Sequence, residues 1–523
     1  MPAGAGRKGK RLRSLVVHAV AARAFAVTRV TEQAGTKTPG VENDLWDTPE
    51  KNATAVSRRG QWRGYRPRPL QRLSMPQKNG TQRPLSMPPM EDRARHAVSL
   101  HTLQPRAETT AAPHAYGCRP TRRCADASDH GWKVLRQPTS ATGILAGESA
   151  GFCDHIALAW LEKPIPMNQR VLSTWLSSGV SERGAVFPTT AGVPQGGMVS
   201  PVMSPMGLDG LADVGHGGIW PHRVHQITDV RGADDFLVTA HARAVVAETV
   251  RPSIHTCLAA RGVRLSPHQT VIPPLSQGCD CFGQTIRTSA RPHGTPAQLQ
   301  MTPRQARVPT IPAQLNTRCH QAAGTTPTHL IAPLNPVWRG WANSHRHSIC
   351  GDTCAHRDSF VWRRLSRWAT LRHPHKTGRW IAQRSFPPQR GASWRFPAPT
   401  TGTHLLRLQE TGKPPRHIQG KSDANPFDPC WEAYLQYRDR QVAVQASSAL
   451  RAKLLHQQTG RCPLCRQVIQ GEEPLALHHR DGTHQHNRRE HLVLLPPNGH
   501  RQGHSAPDST TTVPRPSRGV GHA

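Results

Sequence analysis

Apolar and polar positions form their most regular pattern between residues 143 and 250. Two short runs there, GILAGES and DFLVTA, have the length and composition of strands. MNQRVLSTWLSSG and MVSPVMSPMGLDGLA, by contrast, have the character of helices. Because strand-like and helix-like runs alternate, the pattern predicts an α+β domain with a small central sheet.

Upstream of this region the pattern predicts a few further elements. Thr48 followed by Pro49 is a plausible helix start. The KNG stretch at 78–80 predicts a hairpin turn between two short strands, and a helix is expected over residues 91–103. Residues 1–28 are interpreted as a flexible basic segment.

Downstream, residues 288–332 are polar and Pro-rich and are predicted to be a connection. In residues 333–381, Trp residues recur at helical spacing among many Arg and His. Such a stripe favours burial of Trp338, Trp341, Trp362 and Trp368 in a core. The neighbouring basic residues are either a solvated face or contacts for RNA phosphates, namely Arg363, Arg364, Arg367, Arg372, His373 and Lys376. The remaining predicted regions are a linker that completes 333–425, a Cys/His-rich module over 426–504 and a disordered tail over 505–523.

Charge narrows the class of partner more than any other bulk property. Lys and Arg number 67 against 33 Asp and Glu, a formal charge of +34, with 31 His in addition. A charge this positive, spread along the chain, favours a nucleic-acid partner. The 12 Cys form no secretory ladder, and no apolar run approaches the roughly 20 residues that span a bilayer. The Cys usage favours a reducing compartment, and we expect a cytoplasmic protein with no membrane partner.

The stretch VRGADDFLV at 230–238 allows two interpretations. Asp is a preferred turn residue, so Asp234 and Asp235 suit an ordinary hairpin. Paired carboxylates also suit the divalent cations that nucleotidyl transfer uses, if a third acid lies near. Glu148, at the end of GILAGES, is the candidate for that acid. The nine residues alone leave both interpretations open.

Several motifs together resemble one family. TTAGVPQGGMVSPVMSPMGLDGL, followed by RGADDFLVTA, resembles the reverse transcriptases encoded by bacterial group II introns. MPQKNGTQRPLSMPPMEDRA, AYGCRPTRR, AARGVRLSPHQT, GCDCFGQTIR and LNPVWRGWANSHRH also resemble that family's motifs, in the same order. The resemblance implies a right-hand polymerase with fingers and palm over 29–287. It also implies a helical thumb and maturase region over 333–425 and an HNH nuclease module of ββα-metal type over 426–504.

The resemblance also implies roles for individual residues. Glu148, Asp234 and Asp235 would be catalytic and hold Mg²⁺ or Mn²⁺. Residues that contact the nucleotide and primer would be Lys78, Arg83, Gln195, Gly196 and Gly197. Four features depart from the family's pattern: Glu148 stands where the family has Asp, Gly232 where it has Tyr, Ser149 and Ala150 where it has Ile-Lys, and Pro205 where it has Asn.

The C-terminal module contains CxxC at Cys462 and Cys465 and HxxxH at His500 and His504. The 34 residues between the pairs, 466–499, are too many for a finger of two Cys and two His. Resemblance to an HNH endonuclease implies that His478 and His500 hold a divalent ion and His479 is the general base. Cys462, Cys465 and His504 would bind a structural Zn²⁺, with His484 or His486 as a possible fourth ligand. His491 and Gly499 replace the family's Asn and Cys.

The first functional hypothesis is an RNA-directed DNA polymerase and maturase that binds intron RNA, assists splicing and supports intron mobility through HNH cleavage. Its partners would be group II intron RNA, target DNA and deoxynucleoside triphosphates. The second hypothesis is a catalytically impaired maturase that still binds RNA. The third is the decayed product of a mobile element. The sequence leaves the oligomeric state open.

Overall fold

The protein is described by a computed structural model. It describes residues 3–32, 38–58, 62, 64–76, 82–136, 142–211, 227–289, 297–304, 326–345, 347–388, 394–398, 402–411, 417–446, 449–464, 466, 469, 475–479 and 489–495. The chain divides into two compact units. The first comprises Met1–Leu334 and Ser348–Leu405, and the second comprises Asn335–His347 and Leu406–Ala523.

Four helices lie in the N-terminal part of the first unit: α1 Ala3–His18, α2 Val20–Glu32, α3 Pro49–Arg58 and α4 Met90–Thr110. Thr48 accepts a hydrogen bond from the Lys51 backbone N–H (3.3 Å), so the predicted start of α3 is confirmed. The predicted helix over 91–103 is also confirmed, within the longer α4.

The expectation of a flexible segment over residues 1–28 is wrong. Ala26 and Val27 of α2 are buried in one cluster with Trp46 and with residues of α4. Arg23, which interrupts the apolar pattern, donates to the Val56 carbonyl (3.0 Å). The basic residue is therefore accommodated, and burial of the apolar side chains against α4 stabilises the helix.

A four-stranded sheet is built from β1 Leu70–Pro76 and β2 Gln82–Met87, which precede α4, and from β4 Val180–Glu182 and β5 Ala185–Phe187. Its strand order is β2-β1-β4-β5, with β1 antiparallel to β2 and parallel to β4. The two strands predicted on either side of KNG are confirmed. The turn itself, with Lys78, lies outside the described residues.

The second four-stranded sheet consists of β3 Gly143–Ala150, β6 Thr228–Arg231, β7 Asp235–Ala240 and β8 Arg264–Leu265, in the order β6-β7-β3-β8. Alternate residues of β3 enter two different cores, Leu145 in one and Ile144 and Ala146 in the other. Both faces of β3 are therefore covered, which explains its continuous apolar run. The strands predicted from GILAGES and DFLVTA are confirmed.

Short helices surround this sheet: α5 Cys124–Arg136, α6 Phe152–His155, α7 Leu158–Leu161, α8 Gln169–Leu176, α9 Ser200–Gly207, α10 Arg243–Val245, a π-helical turn Val246–Val250 and α11 Arg251–Ala259. Asn168 caps α8 by accepting from the Val171 N–H. The two helices predicted from MNQRVLSTWLSSG and MVSPVMSPMGLDGLA are α8 and a shortened α9.

A three-stranded sheet contains β9 Cys279–Cys281, β10 Gln284–Ser289 and β11 Gln298–Pro303, in the order β11-β10-β9. Strand β11 lies within residues 288–332, which were expected to be only a connection. That expectation is wrong for this segment, because Leu299 and Met301 alternate inward and are buried with Ile286.

Helices dominate the next region: α12 Pro327–Ser344, α13 Gly351–Arg372 and α14 Gly378–Ser385. Burial is confirmed for Trp338 (1% exposed) and Trp368 (3%) and is wrong for Trp362, which is 40% exposed. Trp362 lies off the buried face of α13, which is formed by Val361, Leu365, Trp368 and Ala369.

The second unit contains α15 Glu432–Ala446, α16 Ala449–Gln457, β12 Ala476–His479 and β13 Leu492–Leu495. All four residues of β13 are buried in a core with Leu454, Leu455 and Cys462. The predicted boundary at 426 lies too late, because residues before it belong to the same unit. Arg438 of α15, 2% exposed, donates to the Ile418 carbonyl (3.2 Å).

Within the described residues, no single helix is both long and apolar enough to cross a membrane. The segments Lys8–His18 and Val20–Thr31 meet that test of length and composition only as a pair, bent by 64°.

Candidate active site

The carboxylates of VRGADDFLV lie where β6 turns into β7. The Gly232 N–H donates to the Asp235 carbonyl (2.7 Å) and closes the turn. Asp234 is exposed and Asp235 is half-buried as the first residue of β7. The hairpin interpretation is therefore correct as local structure, and the same turn presents both acids at the end of the sheet.

The third acid lies on the neighbouring strand. Glu148 of β3 is the direct antiparallel partner of Asp235, and the Ser149 N–H donates to the Asp234 carbonyl (3.0 Å). The sheet thus places Glu148 beside Asp235, which follows Asp234 in the chain, at one end of strands β3 and β7. Their oxygens are the donors that hard divalent cations prefer. In the described part of the chain, however, no three His, Cys, Asp or Glu side chains are arranged to hold a metal ion, so cation binding remains a prediction.

The backbone of residues 116–117 is hydrogen-bonded to the turn between β6 and β7. The Tyr116 N–H donates to the Arg231 carbonyl (2.8 Å), and the Gly117 N–H donates to the Gly232 carbonyl (3.1 Å). A Cβ at position 117 would overlap the Gly232 carbonyl, so only glycine permits this approach. The AYG sequence therefore holds the carboxylate turn in place.

Gly232, at the position where the family that the sequence resembles has Tyr, is packed against an aromatic residue. A Cβ at Gly232 would lie 3.1 Å from Cδ1 of Phe282, which is itself buried. Nothing in the sequence signals this contact, because Phe282 lies 50 residues away in the turn between β9 and β10, which only the tertiary fold brings close.

Three polar side chains from separate segments form a chain of hydrogen bonds. Arg83 Nε of β2 donates to Gln195 Oε1 (3.1 Å), and Gln195 Nε2 donates to Asp154 Oδ1 of α6 (2.5 Å). Gly196 has φ of +117°, and a Cβ there would lie 2.9 Å from Met87 Sδ. The structure thus joins Arg83, Gln195 and Gly196, which the sequence had grouped, and adds Asp154, which it had not.

Gly197, the other predicted loop residue, lies three residues before α9 begins, and its N–H donates to the Pro194 carbonyl (3.2 Å). It therefore belongs to the turn that leads from Gln195 into α9. Lys78, predicted to contact the nucleotide with Arg83, is outside the described residues.

The charged groups of this site shift the pKa of the Cys153 thiol. Burial raises its pKa most, and the negative charges of Asp154 and Asp234 raise it further, whereas the Arg83 guanidinium lowers it. The pKa of Cys118 is also raised, first by burial and then by Cys153 and Asp234. Arg83, Asp154 and Asp234 therefore all lie close enough to Cys153 to shift the pKa of its thiol.

The predicted RNA-contacting residues lie on α13 and in the turn after it. Arg363, Arg367 and Lys376 are exposed, and Arg364, Arg372 and His373 are half-buried. The half-buried Arg side chains lie against aromatic rings, Arg364 at 5.1 Å from the Phe360 centroid and Arg372 at 5.5 Å from the Trp368 centroid. For Arg364, such stacking leaves an edge of the guanidinium available to phosphate.

The Cys/His module is described only in part. His478 and His479 are adjacent on β12, paired with Val493 and Leu492 of β13, and His491 lies in the single turn Arg489–His491 that leads into β13. Cys462 is buried in the core of the module. The other predicted ligands, Cys465, His484, His486, His500 and His504, and Gly499 lie outside the described residues, so the zinc and HNH sites remain predictions.

Comparison with known proteins gives three consecutive domain matches. The N-terminal domain of reverse transcriptase matches residues 2–58, and reverse transcriptase (RNA-dependent DNA polymerase) matches residues 75–286. The group II intron, maturase-specific domain matches residues 312–386. The chain therefore contains the reverse-transcriptase and maturase domains of group II intron proteins, in an α+β architecture.

Individual relatives are more distant. Protein YkfC of Escherichia coli (strain K12) is 22% identical over 261 residues, which cover 42% of this chain and 68% of that protein. The structure of telomerase from Candida albicans in complex with the TWJ fragment of telomeric RNA matches with a TM-score of 0.36 and 10% identity. That match covers 59% of this chain and 61% of the telomerase chain, and the likeness is too loose to support an argument.

Proposed function

We propose that the protein is an RNA-directed DNA polymerase and maturase encoded by a group II intron. The observation that supports the proposal best is the pairing of Glu148 with Asp235 beside Asp234, in the same unit as the Arg83–Gln195 contact. Polymerisation joins the 3′-oxygen of a primer to the α-phosphate of a deoxynucleoside triphosphate and releases pyrophosphate. It requires carboxylates on one side of the reacting phosphate and a cationic group on the other.

In this proposal the side chains divide the work. Glu148, Asp234 and Asp235 would hold Mg²⁺ or Mn²⁺, which would stabilise the negative charge that develops on the transferring phosphate. Arg83 binds the triphosphate through its planar guanidinium, which suits phosphate geometry. Gln195 and Gly196 support the nucleotide and primer, and the basic residues of α13 bind intron RNA through its phosphates.

We further propose that the C-terminal module cleaves DNA. Two adjacent histidines on a short hairpin over an apolar core support an HNH nuclease in which His479 activates water and His478 and His500 hold a divalent ion. Cys462, Cys465 and His504 would bind structural zinc. With this activity the protein would cut target DNA in intron mobility, acting in the cytoplasm at the nucleoid.

Two departures from the related enzymes favour a second candidate, a maturase that binds RNA without synthesising DNA. Glu148 is one methylene longer than the Asp of the related enzymes, and a displacement of roughly 1 Å can cost about a hundredfold in rate. Gly232 also lacks the aromatic side chain of those enzymes. Both changes affect polymerisation and leave the basic surface of α13 unchanged.

Primer extension on an RNA template with Mg²⁺ or Mn²⁺ separates the candidates. We would compare the natural protein with Glu148→Asp and with a double variant carrying Asp234→Asn and Asp235→Asn. Synthesis abolished by the double variant supports a working polymerase. Synthesis only in Glu148→Asp supports a maturase disabled at one ligand, and intron RNA binding without synthesis in any protein overturns the polymerase proposal.

A further inference from the structure

Asp154 contacts the nucleotide-binding segment through one specific side-chain bond. Its Oδ1 accepts from Gln195 Nε2 at 2.5 Å, across a sequence separation of 41 residues, and Gln195 Oε1 accepts from Arg83 Nε. The three residues come from α6, the loop before α9 and strand β2. The charge of α6 is thereby linked to the guanidinium of the first sheet through a single amide.

The loop backbone does not need this side chain to stay in place. The Val193 N–H donates to the Cys153 carbonyl (2.7 Å), and the Gly192 N–H donates to the Ile156 carbonyl (2.8 Å). Gly192 also packs closely on the Asp154 carbonyl, where its φ of +87° favours glycine. Because main-chain bonds already attach the loop to α6, the Asp154 carboxylate acts on the Gln195 side chain.

A carboxylate decides which way the Gln195 amide faces. An ionised carboxylate only accepts hydrogen bonds, so Gln195 must turn its NH₂ group to Asp154 and its oxygen to Arg83. In the opposite orientation, two donors would face each other at Arg83 and two acceptors at Asp154. Arg83 Nη atoms make no side-chain hydrogen bond to another described residue, so the fixed Nε leaves those nitrogens for a ligand.

We propose that Asp154 is a nucleotide-positioning residue, which orients Gln195 and, through it, turns Arg83 toward the triphosphate. This inference rests on the proposed polymerase function and adds a residue to it. It predicts that loss of the Asp154 carboxylate changes nucleotide affinity in the direction opposite to that expected from charge alone. Removing a negative charge beside a triphosphate site should strengthen nucleotide binding by Coulomb attraction, whereas loss of positioning should weaken it.

The test measures dTTP binding and incorporation by the full-length protein on oligo(dT) annealed to poly(rA) with Mg²⁺. For Asp154→Ala we expect the dTTP dissociation constant and KM to rise about tenfold, the scale of one charge-assisted hydrogen bond, with kcat little changed. Asp154→Asn keeps an acceptor but can rotate its amide, so its loss should be smaller. The matched control is Glu182→Ala, an exposed acid of β4, which should bind dTTP as the natural protein does.

A double-mutant cycle shows whether Asp154 acts through Gln195. Asp154→Ala should cost little more in a Gln195→Ala background than Gln195→Ala alone, because the link is already cut. Additive losses, or tighter dTTP binding by Asp154→Ala, would overturn the positioning role, as would absence of dTTP binding by the natural protein. If dTTP binds with the expected cycle and no DNA is made, the polymerase proposal fails and the positioning role stands.

Discussion

The two units of the chain place their candidate chemistry on very different supports. In the first unit, Glu148 and Asp235 lie on strands whose residues enter two apolar cores, and the neighbouring AYG segment holds the turn between β6 and β7. In the second unit, His478 and His479 lie on a four-residue strand with one small core. A short hairpin of this kind is marginal without further support, such as a metal. We therefore expect the position of the carboxylates to depend on packing and that of the histidines to depend on zinc.

Chelation of zinc is expected to have the largest effect, and that effect should be confined to the second unit. Removing zinc with a strong chelator should unfold the module around β12 and β13 and leave the first unit intact, because metal binding contributes folding energy directly. Hydrogen exchange of peptides covering Leu454 and Leu492–Leu495 would report the loss. Zinc analysis of a Cys465→Ser variant is the control, and unchanged protection after chelation would sink the zinc assignment.

The second-largest effect is expected from a substitution that disturbs the packing around the carboxylates of the first unit. Gly117→Ala should lower primer extension by at least about a hundredfold, since its Cβ would overlap the Gly232 carbonyl and displace the carboxylate turn. The thermal unfolding midpoint should fall as well. Gly340→Ala is the matched control, because nothing lies within 4 Å of the added Cβ. Full activity and an unchanged midpoint in Gly117→Ala would contradict the support assigned to this segment.

Substitution of a buried tryptophan in each unit should lower the stability of that unit. Trp368→Ala should destabilise the first unit, and Trp338→Ala the second, by about 3–5 kcal/mol each, since both side chains are almost fully buried. Trp362→Ala, at a side chain 40% exposed, should cost clearly less. Chemical denaturation followed by hydrogen exchange in each unit measures the three values. Equal losses for Trp362 and Trp368 would refute the assigned burial.

The smallest effect is a pH dependence confined to the first unit. Burial lowers the pKa of His96 from 6.5 to about 3 and raises that of Asp92 from 3.8 to about 6. Acidification below pH 6.5 therefore destabilises through His96, since the unfolded state binds its proton first, whereas Asp92 stabilises as pH falls from about 6 to 4. The His96 shift is larger, so the net free energy of unfolding should fall with acidity.

The His96→Met variant removes the contribution of His96 and leaves that of Asp92. The buried Nδ1 of His96 has no hydrogen-bond partner among the described residues, so an apolar replacement leaves no polar group unsatisfied. In this variant the free energy of unfolding should rise by an amount on the order of a few kcal/mol as pH falls from about 6 to 4, because only Asp92 remains. Denaturation at both pH values measures it, and a continued fall would contradict the assignment.

Sequence patterns predicted the local elements of the first site well. Strand β3, strand β7 and helix α8 follow from the pattern of apolar positions, which is a short-range signal. The pattern failed for residues 1–28, because burial of Ala26 and Val27 depends on α4, which lies far along the chain. Asp154 was missed for the same reason, since its partner Gln195 lies 41 residues away.

By itself the sequence determined the order of the motifs, the basic charge and the chemistry of each side chain at the site. Only the tertiary structure decided that Glu148 faces Asp235, that Gly117 packs under the Gly232 carbonyl, and that Asp154 holds Gln195. The reason is physical. Strand register and loop docking depend on contacts between distant residues, and a slip of one residue would turn each carboxylate to the opposite face of the sheet.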